Sequence, residues 1–171
     1  MTGKKILLIV LVLLLVISVS VVGTSIIRQT QFESSSQEFA VFITPLILSA
    51  NPSAPQISDE ETATETEKVE AERAWETYAH ASLLQQQSNA DRLKYLRIVA
   101  GNLGALEVIE SIRGGSEVPI ASFLGESQPT ANYNLQVRFT RGAADVQISM
   151  LYEQDQWQIT AFQVMSDRTV D

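Results

Sequence analysis

The chain has 171 residues, 45% of them apolar, and a formal charge of −8, which allows one domain plus a short accessory segment. With no cysteine and a single histidine, a disulfide framework, a thiolate or histidine-rich metal site and a thiol nucleophile are excluded. The acidic balance argues against nucleic acid as a partner, because neutralising phosphates takes clustered Lys and Arg.

The apolar residues are unevenly spread. Ile6–Ile27 is uncharged and 17 of its 22 residues are apolar. As a helix it reaches roughly 33 Å, enough for a hydrocarbon core of about 30 Å. Lys4 and Lys5 precede it; Arg28 alone follows closely, with Glu33 and Glu38 beyond. That bias predicts a cytoplasmic N-terminus. Residues 1–28 therefore read as a single-pass anchor in the inner (cytoplasmic) membrane, with the lipid bilayer as partner through residues 6–27. Residues 29–171 read as a periplasmic or extracellular domain. A cleaved signal peptide is the alternative; its apolar core usually runs only about 7–15 residues.

Residues 34–50 predict a helix capped by Ser34, with Gln37 at capping-box spacing. Phe39, Phe42, Ile43, Leu46, Ile47 and Ala50 form one apolar stripe, and Pro45 predicts a kink or a split. The stripe suits packing on the domain's own sheet better than lying on lipid, since no Lys or Arg occurs between Gln29 and Glu67. After the turn-rich NPSAPQI comes an acidic stretch, Asp59–Glu76, with eight carboxylates against Lys68 and Arg73. The segment 58–84 predicts a helix capped by Ser58 and solvated at first, with Val69, Trp75, Tyr78, Ala79 and Ser82 on its later face. It lacks the alternation and central Gly of a calcium loop. A further helix follows Ser88, with Leu93, Leu96, Ala100 and Leu103 on one face, Ile98 and Val99 widening it, and Gly101 and Gly104 marking its end.

From Ala105 the apolar period changes to two, placing the sheet in residues 105–166. Leu106–Ile112 and Val118–Leu124 read as strands closed by glycines. Tyr133, Leu135, Val137 and Phe139 alternate with polar residues, Arg141–Gly142 turns, and Val146, Ile148, Met150 and Tyr152 resume the alternation. Trp157 and Ile159 share a phase that Phe162 and Val164 break, which predicts a bulge near Thr160–Ala161. The fold class is α+β: an N-terminal transmembrane helix, then helices packed on a curved antiparallel sheet of about 4–5 strands.

GNLGALEVIESI, YNLQVRFT, ADVQISMLYE and the closing QWQITAFQVMS resemble the small cystatin-like or nuclear-transport-factor-2-like domains of bacterial envelope proteins. The shared finish is Trp157, Ile159, Phe162 and Val164, and the specific part of the resemblance covers residues 101–166. Asp155–Gln156 stands where such domains place an Asp–Gly turn. The resemblance implies a cone-shaped sheet and no particular reaction.

No G-x-S-x-G, H-E-x-x-H, phosphate loop or dinucleotide fingerprint occurs, so no catalytic residue, metal or cofactor is assigned. His80 reads as a surface or helix-packing residue. Glu107 and Glu110, three apart on a strand, would point to opposite faces and cannot pair without a bulge. Arg138, with Gln136 and Asn134 and the neighbouring Gln147 and Ser149, forms a polar phase that could meet a partner or an anion; a solvated outer face is the plainer reading. Two functions follow. One is a membrane-tethered, non-enzymatic interaction domain contacting itself or another envelope protein through its polar sheet face or a sheet edge. The other is a small-molecule pocket between helices and sheet, lined by Trp75, Tyr78, Tyr133, Phe139 and Trp157.

Overall fold

The computed structural model of the protein describes residues 28–48, 73–86, 88–119, 121–122 and 125–166. Helices precede the sheet: α1 covers 28–48, α2 covers 73–78, α3 is Ala81–Gln86 and α4 is Asn89–Leu103. The strands are β1 (Leu106–Glu117), β2 (Thr130–Phe139), β3 (Gly142–Glu153) and β4 (Gln156–Met165), in the spatial order β1-β2-β3-β4 with every neighbour antiparallel. The α+β class and the helix-covered open sheet stand as expected, with four strands. No helix among the described residues is long and apolar enough to cross a membrane. The expected anchor lies outside them except for Arg28, as do Ala50, the 51–57 connector and residues 58–72 of the acidic segment.

The period-two alternation of β2 to β4 makes the core. Tyr133, Leu135, Val137 and Phe139 face inward opposite Val146, Ile148 and Met150, and Trp157 and Ile159 complete the buried face. The expected bulge falls at Thr160: Ser149 pairs with Ala161 while Met150 pairs with Ile159. The extra residue restores Phe162 and Val164 to the core side, where both pack against the buried cluster.

β1 departs from the sequence reading. It runs unbroken through Gly114 and Gly115, which pair with Tyr133 and Asn132 instead of closing a strand. Gly114 sits at φ 136°, and a Cβ there would lie 2.0 Å from the Asn132 carbonyl oxygen, so this glycine permits close approach of two strands. Register shifts insert Glu107 and Glu110, so Leu106, Ile109 and Ile112 oppose Phe139, Val137 and Leu135 on the inner face. The second expected strand, Val118–Leu124, does not form where it is described. Residues 118–119 are irregular and 121–122 lie in a short turn, with Ser122 donating its N–H and its hydroxyl to the Pro119 carbonyl.

α1 is already helical at residue 28, so Ser34 lies inside it and caps nothing. The helix also passes Pro45 and continues to Leu48. Its buried line is Ser36, Ala40, Ile43, Thr44 and Ile47, rotated from the expected stripe so that Phe42 is left 52% exposed. The small Ser36 and Ala40 let the helix approach the sheet closely.

The helix expected through residue 84 is broken at Ala79–His80. Ala79 bridges Ile159 in parallel, and the His80 N–H donates to the Ile159 carbonyl at 2.8 Å. His80 then caps α3: the Leu83 and Leu84 N–H groups donate to its carbonyl, and its ring Nδ1 accepts from the Ser82 N–H. α4 is capped as expected, Ser88 accepting from the Asp91 N–H and Gly104 ending it. Leu96, Val99, Ala100 and Leu103 are buried, but Ile98 is 53% exposed, and the Leu93 side chain is outside the described set.

The α4 C-terminus docks on the β2–β3 hairpin. Arg141 donates from its backbone to the Leu103 carbonyl and from its guanidinium to the Ala100 carbonyl, while Thr140 Oγ1 accepts from the Ala105 N–H. Gly104 fits there at φ 83°, with its missing Cβ 1.9 Å from Thr140 Oγ1. Gly104→Ala should therefore lose roughly 2–3 kcal/mol of stability in thermal unfolding, combining backbone strain with the clash. The β3–β4 turn gives the opposite sign. Gln154 and Asp155, at φ 52° and 61°, both occupy the left-handed region of a two-residue hairpin turn. Asp155→Gly relieves one of them and should raise stability by about 1 kcal/mol in the same assay.

Candidate functional site

With helices on one side, the other side of the sheet is left uncovered by the described residues. Cross-strand register builds it in rows. Arg113, Asn134, Gln147 and Gln163 stand side by side, and next to them lie the shorter Gly115, Asn132, Ser149 and Ala161. The difference in side-chain height leaves an open trough of ≈ 310 Å³ touching Arg113, Asn132, Asn134, Gln147 and Ser149. On the other flank come Ser111, Gln136, Asp145 and Met165, with Arg138 beyond.

Three of the expected site residues thus share this face. Arg138 forms an ion pair with Glu110, Gln136 Oε1 accepts from the Ser111 hydroxyl at 2.8 Å, and Asn134 is half-buried with its Oδ1 shielded from solvent and without a hydrogen-bond partner among the described residues. The Arg138 side chain is 59% exposed, so the pair is worth about 0–1 kcal/mol and leaves the guanidinium accessible. The bulges change the argument about Glu107 and Glu110. A regular strand would separate them; here both inserted residues are exposed, and Glu110 is engaged by Arg138.

Trp75 and Tyr78 do not join them. Trp75 is buried, edge-on to Phe162 with ring centroids 6.3 Å apart, and the Arg92 guanidinium lies 4.7 Å from its ring centre. Tyr78 packs edge-on against Phe39 and Phe42 of α1. Both belong to the helix side and hold elements together. His80, besides capping α3, lies 3.5 Å from a Glu153 carboxylate oxygen, a second structural contact.

Tyr133, Phe139 and Trp157, expected to line an inner cavity, are buried in the same core cluster as Trp75. Their polar atoms serve packing: the Trp157 indole N–H donates to Ser35 Oγ at 3.1 Å, and the Tyr133 hydroxyl meets Ser36 Oγ at 2.8 Å and the Glu33 carbonyl at 3.2 Å. Of the three serines the sequence singles out only Ser34, as a cap; the pairing of Ser36 and Ser35 with aromatics 97 and 122 residues away has no local signature. A different cleft, open and of ≈ 360 Å³, lies beside Trp157 between α1 and the β3–β4 turn, lined by Gln31, Phe32, Ser35, Tyr152, Asp155 and Gln156.

Burial pushes the Tyr133 phenol above its ordinary value of 10.0; the Ser36 hydrogen bond pulls it down and nearby Glu33 pushes it further up. The native state therefore keeps a proton that the unfolded chain releases first. The stabilisation is complete below about pH 10 and is lost as pH rises through the raised value. Tyr133→Phe should remove this part of the alkaline loss while costing about 1 kcal/mol at neutral pH, as measured by denaturant unfolding between neutral and strongly alkaline pH.

Comparison of the chain with protein-family models, with curated proteins and with solved structures finds no match.

Proposed function

We propose that the protein is a membrane-tethered, non-enzymatic interaction domain of the cell envelope. Residues 1–28 anchor it in the cytoplasmic membrane and the α+β domain works on the periplasmic or extracellular side. The long uncharged stretch 6–27 supports the anchor, and the flanking Lys4 and Lys5 support the orientation. Kinship with cystatin-like or nuclear-transport-factor-2-like domains belongs to the same proposal and rests on the sequence segments quoted above.

The observation that carries the interaction role is the uncovered sheet face, taken together with the state of the sheet's edges. β4 is covered at Ile159 by Ala79 and His80, and at Val164 by the Tyr95 hydroxyl, which donates to its carbonyl and accepts from its N–H. β1 is interrupted by two bulges and receives the Gln29 amide at the Ser116 carbonyl. Strand addition at either edge is therefore disfavoured. The open face offers Asn132, Asn134, Gln136, Arg138, Gln147 and Ser149, a hydrogen-bonding surface suited to another envelope protein or to a second copy. Tethering raises its effective concentration for neighbours in the same membrane.

The cleft beside Trp157 favours the second reading, a small-molecule site, because it joins aromatic and polar side chains in a concave space. The two readings separate by experiment. A photo-crosslinking residue at Gln136 or Gln147 of the full chain in native membranes should give discrete higher-mass adducts, whereas one at the exposed Ile98 should not. Monomer alone from every position on the sheet face would overturn the interaction reading.

A further inference from the structure

α1 docks on the sheet within two turns of the apolar stretch, and its contacts step inward along the sheet. Gln29 Nε2 donates to the Ser116 carbonyl at the end of β1. Phe32 packs edge-on against Tyr152 and Trp157, which face each other across the β3–β4 turn, with ring centroids 4.9 and 6.0 Å away. Ser36 then reaches Tyr133, which pairs with Gly114, two residues further in from Ser116. The end of the sheet holding Ser116, Tyr152, Trp157 and the turn Gln154–Asp155 is thus the end from which α1 enters. The opposite end holds the Thr140–Arg141 hairpin and the α4 C-terminus.

We infer that the domain stands directly on the bilayer, with the β3–β4 turn facing the lipid and the Thr140–Arg141 hairpin pointing away. This rests on the anchor reading. From Arg28, the residue after the apolar stretch, to Phe32 the helix advances only about 6 Å, so the aromatic contacts of Phe32 bring the Tyr152–Trp157 end close to the headgroups. The charges at that end are Arg28 at the start of α1, then Glu33, Glu117, Glu126, Glu153 and Asp155, with His80 beside Glu153 and Arg113 further along β1. A predominantly acidic end has no attraction for anionic lipid, so the fixed path of α1 sets the orientation and a basic patch does not. The sheet face then rises from the membrane with its strands running away from it, and a partner on that face is met sideways, as a neighbour in the membrane plane is.

The absence of cysteine makes the test direct, because a single introduced thiol needs no background removal. Nitroxide labels are placed at Gln154→Cys in the turn and at Ala143→Cys beside the far hairpin, both exposed and separated by about 33 Å of strand. The full chain is reconstituted in phosphatidylcholine vesicles containing a nickel-chelating lipid. The label at residue 154 should relax at least three times faster through nickel collisions than the label at 143, and replacing part of the phosphatidylcholine with phosphatidylglycerol should preserve the ratio. Equal or reversed relaxation in a vesicle-bound protein would overturn the orientation and leave the anchor standing. A ratio that appears only with one lipid charge would overturn orientation by α1. Protein that stays in the aqueous phase would overturn the anchor, and this inference with it.

Discussion

Everything in this fold hangs on how closely α1 can lie against the inner face of the sheet. That approach is set by hydroxyls. Ser36 is fully buried where a larger apolar residue would hold the helix away and meets the Tyr133 phenol, while Ser35 at the rim accepts from the Trp157 indole. Each aromatic buries its ring in the core and turns its polar atom to the helix, so no polar group on this seam is left without a partner. The seam joins residues about a hundred positions apart. It therefore forms only when helix and meander are both in place, and it ties the first described turns of the chain to β2 and β4.

Once α1 is fixed, the other elements follow as covers for exposed backbone. Ala79 and His80 leave the helical path to satisfy the outer side of β4, and Tyr95 does the same four residues past the bulge. The α4 C-terminus, an unsatisfied carbonyl cluster by geometry, is answered by Arg141 and by the turn that carries it. Among the described residues, these closures leave the broad polar face of the sheet open to contact.

Much of this architecture is legible in the sequence, for a physical reason. β2, β3 and β4 have one wet and one dry face, so burial imprints a period of two, and even the Thr160 bulge announces itself as a change of phase at Phe162. The end of α4 and its Ser88 cap are equally local. What escaped was set by distant partners. β1 carries its inward residues at 106, 109 and 112, a spacing of three that no regular strand produces, because each bulge absorbs one residue. α1 turned its stripe toward Ser36 instead of Phe42 because the sheet offered hydroxyl partners on that side. The broken helix at Ala79 answers the edge of β4, which lies 80 residues further on. Of the site, Arg138, Gln136 and Asn134 were placed on one face by alternation alone. Trp75 and Tyr78 could not be assigned that way, since helical spacing shows which residues share a face and says nothing of what that face meets.

The bulges at Glu107 and Glu110 carry one more consequence. They do for β1 what helical cover does for β4: they bend the ladder and keep carboxylates along a strand that would otherwise be straight. Deleting either glutamate would return the strand toward regular pairing and lengthen its uninterrupted outer rim. Deleting both would bring Leu106, Val108, Ile109 and Ile112 onto one regular strand, with Arg113 and Glu117 as its remaining charges. Such a rim is a template for open-ended polymerisation, so the two irregular residues protect solubility as much as they shape the fold.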